Sequence, residues 1–264
     1  MKDIFFLNGL PRAGNTVFGS IMNQNPNVAV TANSICADMM GELFILKNTD
    51  IFKNYPDHKS FDNVAKTVFE NYYKDWKQDY IIDRSPWGRP VNLNFLKETK
   101  SNIKIILLVR DIIEVLGSFI AWSEREPASF VNQYAAKTRE EKCDMLMNQD
   151  GAIVKELIGI KHLLDHQPKE MYHIVKFKDL VKNTENTIDG VYNFLGIPKF
   201  KHDFNNISQF KVNDMGYDDT IVGKGLHTLQ TGAISNYKEK YDAYSIIPKS
   251  IIDKYKQCNF WEEI

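Results

Sequence analysis

The chain has 264 residues, with 33 Lys and Arg against 34 Asp and Glu, for a formal net charge of −1. No global basic field therefore draws it to nucleic acid or to an anionic membrane, and any anionic ligand must be held by local groups. Its 43% hydrophobic and 25% charged residues match an ordinary globular composition, which excludes disorder as the dominant state and suits one α/β core, read as a single domain over 1–264.

Residues 3–8 read as the first strand and 15–24 as a helix with Val17, Ile21 and Met22 on one side. Turn residues surround a brief strand at 28–31. Helical patterns follow at 35–47 and 60–77, the second with Val64, Val68, Tyr72 and Trp76 at four-residue spacing. Residues 80–84 (YIIDR) read as a buried strand and 103–109 (IKIILLV) as a second, longer one. Helices are expected at 112–123, 130–147 and 152–165. The last strand falls at 171–177, before a helix with Asn183 or Thr184 as N-cap, Gly196 just past its end and Pro198 beyond. Strands separated by helical crossovers imply a parallel sheet covered on both faces, with ligands at the carboxyl ends of the strands.

Three cysteines, Cys36, Cys143 and Cys258, are odd in number, far apart and without zinc spacing. No apolar run approaches the ~18 residues of a membrane span, and Pro11-Arg12 breaks the N-terminal apolar stretch before signal-peptide length. The expectation is a reduced, cytoplasmic chain without membrane insertion.

Every polar motif falls at a strand's carboxyl end. After the first strand, Gly9-Leu10-Pro11-Arg12-Ala13-Gly14-Asn15-Thr16 has the layout of a P-loop, G-x-x-x-x-G-K-[ST], with Asn15 where lysine would stand. Such a loop turns backbone N–H groups inward, and the helix behind it adds its positive end, so an anion is stabilised there. The dipole supplies only ~0.3–1 kcal/mol, leaving the loop amides and Arg12 to supply the rest. The fourth strand exits at Arg110, and Ser118 lies two helical turns further on, where it can share an anion with Arg110.

Taken in register, these segments resemble the sulfotransferases that use 3′-phosphoadenosine-5′-phosphosulfate (PAPS). PRAGNT resembles the family's phosphosulfate loop, P-R/K-S-G-T-T. LLVRDIIEVLGSF resembles the segment whose arginine and serine grip the 3′-phosphate. HIVKFKDLVKNTENTIDGVYNFLGIP is similar to a third family segment, and NQNPNVAVTANS to the asparagine/histidine-proline turn after the first helix. The resemblance covers roughly residues 3–198. It implies a three-layer αβα fold with a central parallel sheet, like that of P-loop NTPases, and transfer of a sulfonate from PAPS to a hydroxyl or amine, leaving PAP. It also accounts for the missing lysine, since a sulfonate on a 5′-phosphate requires neither triphosphate nor metal.

The resemblance implies that Arg12 contacts the phosphosulfate bridge, that Pro11, Ala13, Gly14, Asn15 and Thr16 line the 5′-phosphate, and that Arg110 and Ser118 hold the 3′-phosphate. Lys224-Gly225 resembles the loop that closes over that phosphate, its alternative being a solvated surface loop. Ala13 departs from the usual serine. The catalytic base is open: Asp83 is the one titratable candidate at a strand end, equally readable as a partner of Arg84 or a cap of the next turn. Arg84 resembles the basic residue that bridges the sulfonate. The acceptor side is expected in the variable segments, roughly 34–78, 85–100 and 120–150, where Trp87, Trp122 and Phe130 mix with Arg89, Glu124, Arg125 and Glu126. That composition fits a small-molecule or carbohydrate acceptor, among others. Two alternatives stand beside this reading: a Mg-ATP kinase or NTPase with Asp83 or Asp111 holding magnesium, and a non-catalytic nucleotide-binding protein of the same fold.

Overall fold

The computed structural model describes residues 2–237 and 241–264. The chain begins with β1 (Asp3–Gly9), α1 (Asn15–Met22) and β2 (Val28–Val30). Three helices, α2 (Cys36–Leu46), α3 (Asp50–Asn54) and α4 (His58–Tyr72), lead to β3 (Tyr80–Arg84). Helix α5 (Pro90–Thr99) then leads to β4 (Ile105–Val109). Helices α6 (Ile112–Arg125), α7 (Arg139–Leu146) and α8 (Val154–His166) precede β5 (Tyr172–Lys176). After the sheet come α9 (Phe177–Lys182), α10 (Thr184–Leu195), α11 (Ala243–Ile246) and α12 (Lys249–Tyr255).

The five strands form one sheet in the order β2-β3-β1-β4-β5, all neighbours parallel. Each residue of β4 is fully buried, as a continuous Ile-Ile-Leu-Leu-Val run requires when helices cover both faces. Burying one such side chain contributes about 1.5–3 kcal/mol, which makes β4 a main anchor of the core. Opposite the switch between β1 and β4, Phe6 meets Trp87 edge-on at 4.9 Å and Phe69 at 5.5 Å.

This order fixes where a ligand can bind. The chain runs from β1 outward to β2 and β3, then returns to the other side of β1 at β4. The carboxyl ends of β1 and β4 therefore splay apart at a topological switch point, which opens a crevice there.

The expected helix over 130–147 is two pieces, a single 3₁₀ turn at Phe130–Gln133 and then α7. Thr138 accepts from the Glu141 N–H, and the Glu141 carboxylate accepts from the Thr138 N–H, a capping box that starts a new helix. The segment expected at 60–77 starts two residues earlier, where Asp57 accepts from the Ser60 N–H, and stops at Tyr72. Helix α5 went unread because its apolar residues are few and its start is marked only by Pro90 at the first position.

Candidate functional site

The loop after β1 is shaped by its own side chains. Gly14 precedes α1 with φ +88°, a left-handed conformation that a side chain would strain, and a Cβ there would run into the Phe177 ring at 2.6 Å. A Cβ on Gly9 would collide with the Asn15 side chain. Asn15, in the place of the P-loop lysine, donates from Nδ2 to the Leu10 carbonyl at 2.7 Å and so ties the loop closed. Its Oδ1 is buried without a partner. The first N–H groups of α1 have no intrahelical acceptor, and Asn15, Thr16 and Val17, which carry them, line the crevice.

Arg12, with φ +62°, turns across the crevice. Its Nε donates to Ser118 Oγ at 2.9 Å, and Nη1 donates to the Leu226 carbonyl. Burial pulls its pKa below the ordinary arginine value, with nearby Arg110 acting the same way. Arg110 leaves the end of β4, donates from Nη1 to the Arg12 carbonyl at 3.0 Å, pairs with Glu114 at 3.0 Å, and lies over the Phe177 ring at 4.4 Å. The loop after β1, the exit of β4 and the middle of α6 thus converge, and the sequence-expected residues Pro11, Arg12, Gly14, Asn15, Thr16, Arg110 and Ser118 line one cavity.

The exit of β3 divides its two candidates. Arg84 faces the crevice and is held by the Ala32 carbonyl and Asn33 Oδ1, each at 2.6 Å, with Tyr217 Oη at 3.2 Å. Asp83 points the other way and is wholly buried. It accepts from the Tyr73 hydroxyl and, at 2.9 Å, from the Trp87 indole N–H, and burial raises its pKa. Adjacent residues of a strand face opposite sides of the sheet, so Arg84 at the cavity places Asp83 in the core. Asp83 therefore neither reaches the cavity as a base nor pairs with Arg84. Trp87 is sealed in the same core and is not part of this cavity's lining, and Trp122 is buried with its N–H donating to the Lys224 carbonyl, whereas Phe130 does line the cavity.

Residues after α10 close the crevice. An antiparallel bridge between Ile207 and Gly232 returns the chain over the loop after β1, with Leu226 held by Arg12. Gly225 stands on the wall, but the Lys224 side chain is exposed to solvent and off it. Ala13 is fully buried beneath the loop, also off the wall. Asp111 caps α6, accepting from the Ile113 and Glu114 N–H groups, while its other oxygen takes Asn259 and Tyr244. A carboxylate so engaged is not placed to hold magnesium at the loop.

Together these walls enclose a cavity of about 420 Å³. Four arginines line it, Arg12, Arg84, Arg110 and Arg125, and no carboxylate does among the described residues. Arg125 was legible only as a charge in a variable segment. His227 and Gln230 on the closing segment, and Tyr237 and Tyr241 beyond it, carried no motif by which sequence reading could find them. Phe119, Phe130 and Phe177 supply apolar surface. Four fixed positive groups beside a helix N-terminus suit a ligand with several negative charges and an apolar portion. Among the described residues no helix is long and apolar enough to cross a membrane.

A sequence profile described as the Sulfotransferase family matches residues 4–202. No curated protein matches the sequence. Among solved structures, the chain is similar to the sulfotransferase domain from the curacin biosynthetic pathway, with 17% identity and a TM-score of 0.54 over 97% of this chain and 91% of that one. It is also similar to the sulfotransferase domain of the Synechococcus PCC 7002 olefin synthase, with 14% identity and a TM-score of 0.57 over 98% and 94%. A third, retinol dehydratase in complex with androsterone and inactive cofactor PAP, is 12% identical with a TM-score of 0.50 over 98% and 80%. At such identities the likeness to these structures is one of fold.

Proposed function

The chain belongs to the sulfotransferase family, and from that premise we propose that it moves a sulfonate from PAPS to a hydroxyl or amine of a small-molecule or carbohydrate acceptor. The observation that carries this reading is the convergence of four arginines on one cavity at the β1/β4 switch point. PAPS carries a 3′-phosphate and a 5′-phosphosulfate joined through a purine nucleoside, and the cavity combines its four arginines with aromatic surface from Phe119, Phe130 and Phe177. The solved retinol dehydratase holds PAP, a precedent in the same fold.

In this reading the α1 N–H groups, Thr16 and the backbone N–H groups of Gly14 and Asn15 hold the 5′-phosphate, with Pro11 shaping the loop beside them. Arg12 and Arg84 face the sulfonate and the bridging oxygen, where negative charge grows as the S–O bond breaks. Preorganised charge of this kind is usually the largest catalytic contribution. Arg110 and Ser118 hold the 3′-phosphate, with Phe177 beneath Arg110 excluding water from it. Asn15 serves by tying the loop, a task that needs no cation.

Calorimetric titration tests it. Purified protein should bind PAP tightly without magnesium and should prefer it to Mg-ATP. Preference for Mg-ATP would overturn the assignment in favour of nucleoside triphosphate chemistry. PAP binding with no transfer to any member of a broad acceptor panel would favour a non-catalytic nucleotide-binding role.

A further inference from the structure

With Asp83 sealed in the core, the cavity wall offers, among the described residues, one side chain able to take a proton near neutral pH, and it is a histidine already set up to do so. His227 lines the cavity alongside Arg12 and Arg84. Its Nδ1 meets Asp219 Oδ1 at 2.5 Å, and its backbone N–H donates to Asp219 Oδ2 at 2.9 Å, so a single carboxylate grips the residue at two points. Tyr217 stacks flat on the imidazole, with ring centroids 3.9 Å apart and planes 6° apart. The Tyr217 hydroxyl is in turn tied to the Ala32 carbonyl and accepts from Arg84. The ring is fixed in plane, in rotation and in tautomer, since a carboxylate at Nδ1 keeps the proton there and leaves Nε2 with its lone pair. Nε2 has no hydrogen-bond partner among the described residues.

Resting on the PAPS reading above, we propose that His227 is the catalytic general base of sulfonate transfer and that Asp219 is its positioning residue. The step balances simply. The acceptor's O–H proton passes to His227 Nε2 as its oxygen bonds to sulfur. The bond from sulfur to the bridging oxygen breaks, and its electron pair leaves on the 5′-phosphate of PAP. The imidazolium so formed is stabilised by Asp219.

The surroundings suit a base that must rest neutral. The titratable and charged groups around it are Asp219 and Tyr217 on its own segment, Arg84 from β3 and Arg12 from the loop after β1. Burial is the main cause that lowers the His227 pKa, and the two arginines act in the same direction. Asp219 opposes them, which keeps the imidazole basic enough to accept the proton. The arginines that draw charge onto the departing phosphate thus also discourage premature protonation of the base.

The test combines histidine NMR with PAP calorimetry and release of radiolabelled sulfate from PAPS, water standing in for the unidentified acceptor. In protein labelled with nitrogen-15 histidine and saturated with PAP, the resonance lost in His227→Gln should report Nδ1–H and a bare Nε2 at neutral pH. His227→Gln should bind PAP within about twofold of wild type yet release sulfate about 10²- to 10⁴-fold more slowly. Asp219→Asn should bring signal from the Nε2–H tautomer and shift the pH–rate profile, and Asp219→Glu should restore part of the rate. A protonated Nε2 at neutral pH overturns the inference and leaves the PAPS reading intact. So does sulfate release by His227→Gln at the wild-type rate, or a wild type that binds PAP and releases sulfate no faster than free solution. A wild type that fails to bind PAP overturns the PAPS reading and the inference with it.

Discussion

Arg12 and Ser118 are hydrogen-bonded, Nε to Oγ, at 2.9 Å. The pair joins two segments far apart in sequence: the loop after β1, read for the 5′ side of the donor, and α6, read for the 3′ side. If the proposed donor binds here, its two ends meet one connected unit. Arg110 completes it by holding the Arg12 carbonyl at 3.0 Å.

Arg12→Ala is expected to lower sulfonate transfer by about 10²- to 10³-fold, the usual loss when a preorganised donor to a developing charge is removed. Its PAP affinity should fall much less, because the loop amides and Arg110 remain. Single-turnover rates together with calorimetry check this. Equal losses in both quantities would show that Arg12 only binds.

Arg110→Lys keeps the charge but loses the planar fork that reaches Glu114 and the Arg12 carbonyl and the flat face lying over Phe177. The expected result is a PAP affinity lower by about tenfold, or ~1.4 kcal/mol, with affinity for adenosine 5′-monophosphate nearly unchanged. Competition titrations with the two nucleotides read the ratio directly. A ratio that stays constant would remove the 3′-phosphate from Arg110's account.

What the sequence carried of this site was whatever is local in the chain. The strand–loop–helix of residues 3–22 and the Arg110…Ser118 spacing are short-range patterns, and both land on the cavity wall. The parallel sheet was legible because Ile105–Val109 is an unbroken apolar run. Asp83 stood open between base and structural partner because the sequence shows only a titratable residue at a strand end, while alternation along the strand turns the carboxylate inward onto Tyr73 and Trp87, contacts no pattern announces. Nothing local marked His227, because its partnership with Asp219 and its place beside Arg84 depend on a non-local return of the chain after α10.

The core position of Asp83 gives a prediction opposite to that for a base. Tyr73→Phe leaves one carboxylate oxygen short of a partner in a sealed site. The expected cost is about 1–3 kcal/mol of stability, that of an unsatisfied buried polar group, seen as a lower midpoint in urea. Transfer per folded molecule should stay close to wild type. A large loss of transfer at unchanged stability would return Asp83 to the chemistry.

Glu156 supplies a pH-dependent test of stability. On α8 it lies 3.7 Å from Arg89, with Oε2 buried and unpartnered. Burial is the main cause of its raised pKa, about 7 against an ordinary 4.5, and Arg89 and Arg84 only partly oppose it. Between those two values the folded protein keeps a proton that the unfolded chain has released. Stability contributed by this group is thus complete below pH 4.5 and is lost as pH rises through about 7. Glu156→Gln, a permanent mimic of the protonated carboxyl, should flatten that part of the profile. Wild type should lose on the order of 2–3 kcal/mol more than the variant between mildly acidic and mildly alkaline pH. Urea midpoints across that range decide it. Parallel profiles would mean that Glu156 stays ionised against Arg89, and that the pair contributes equally at every pH tested.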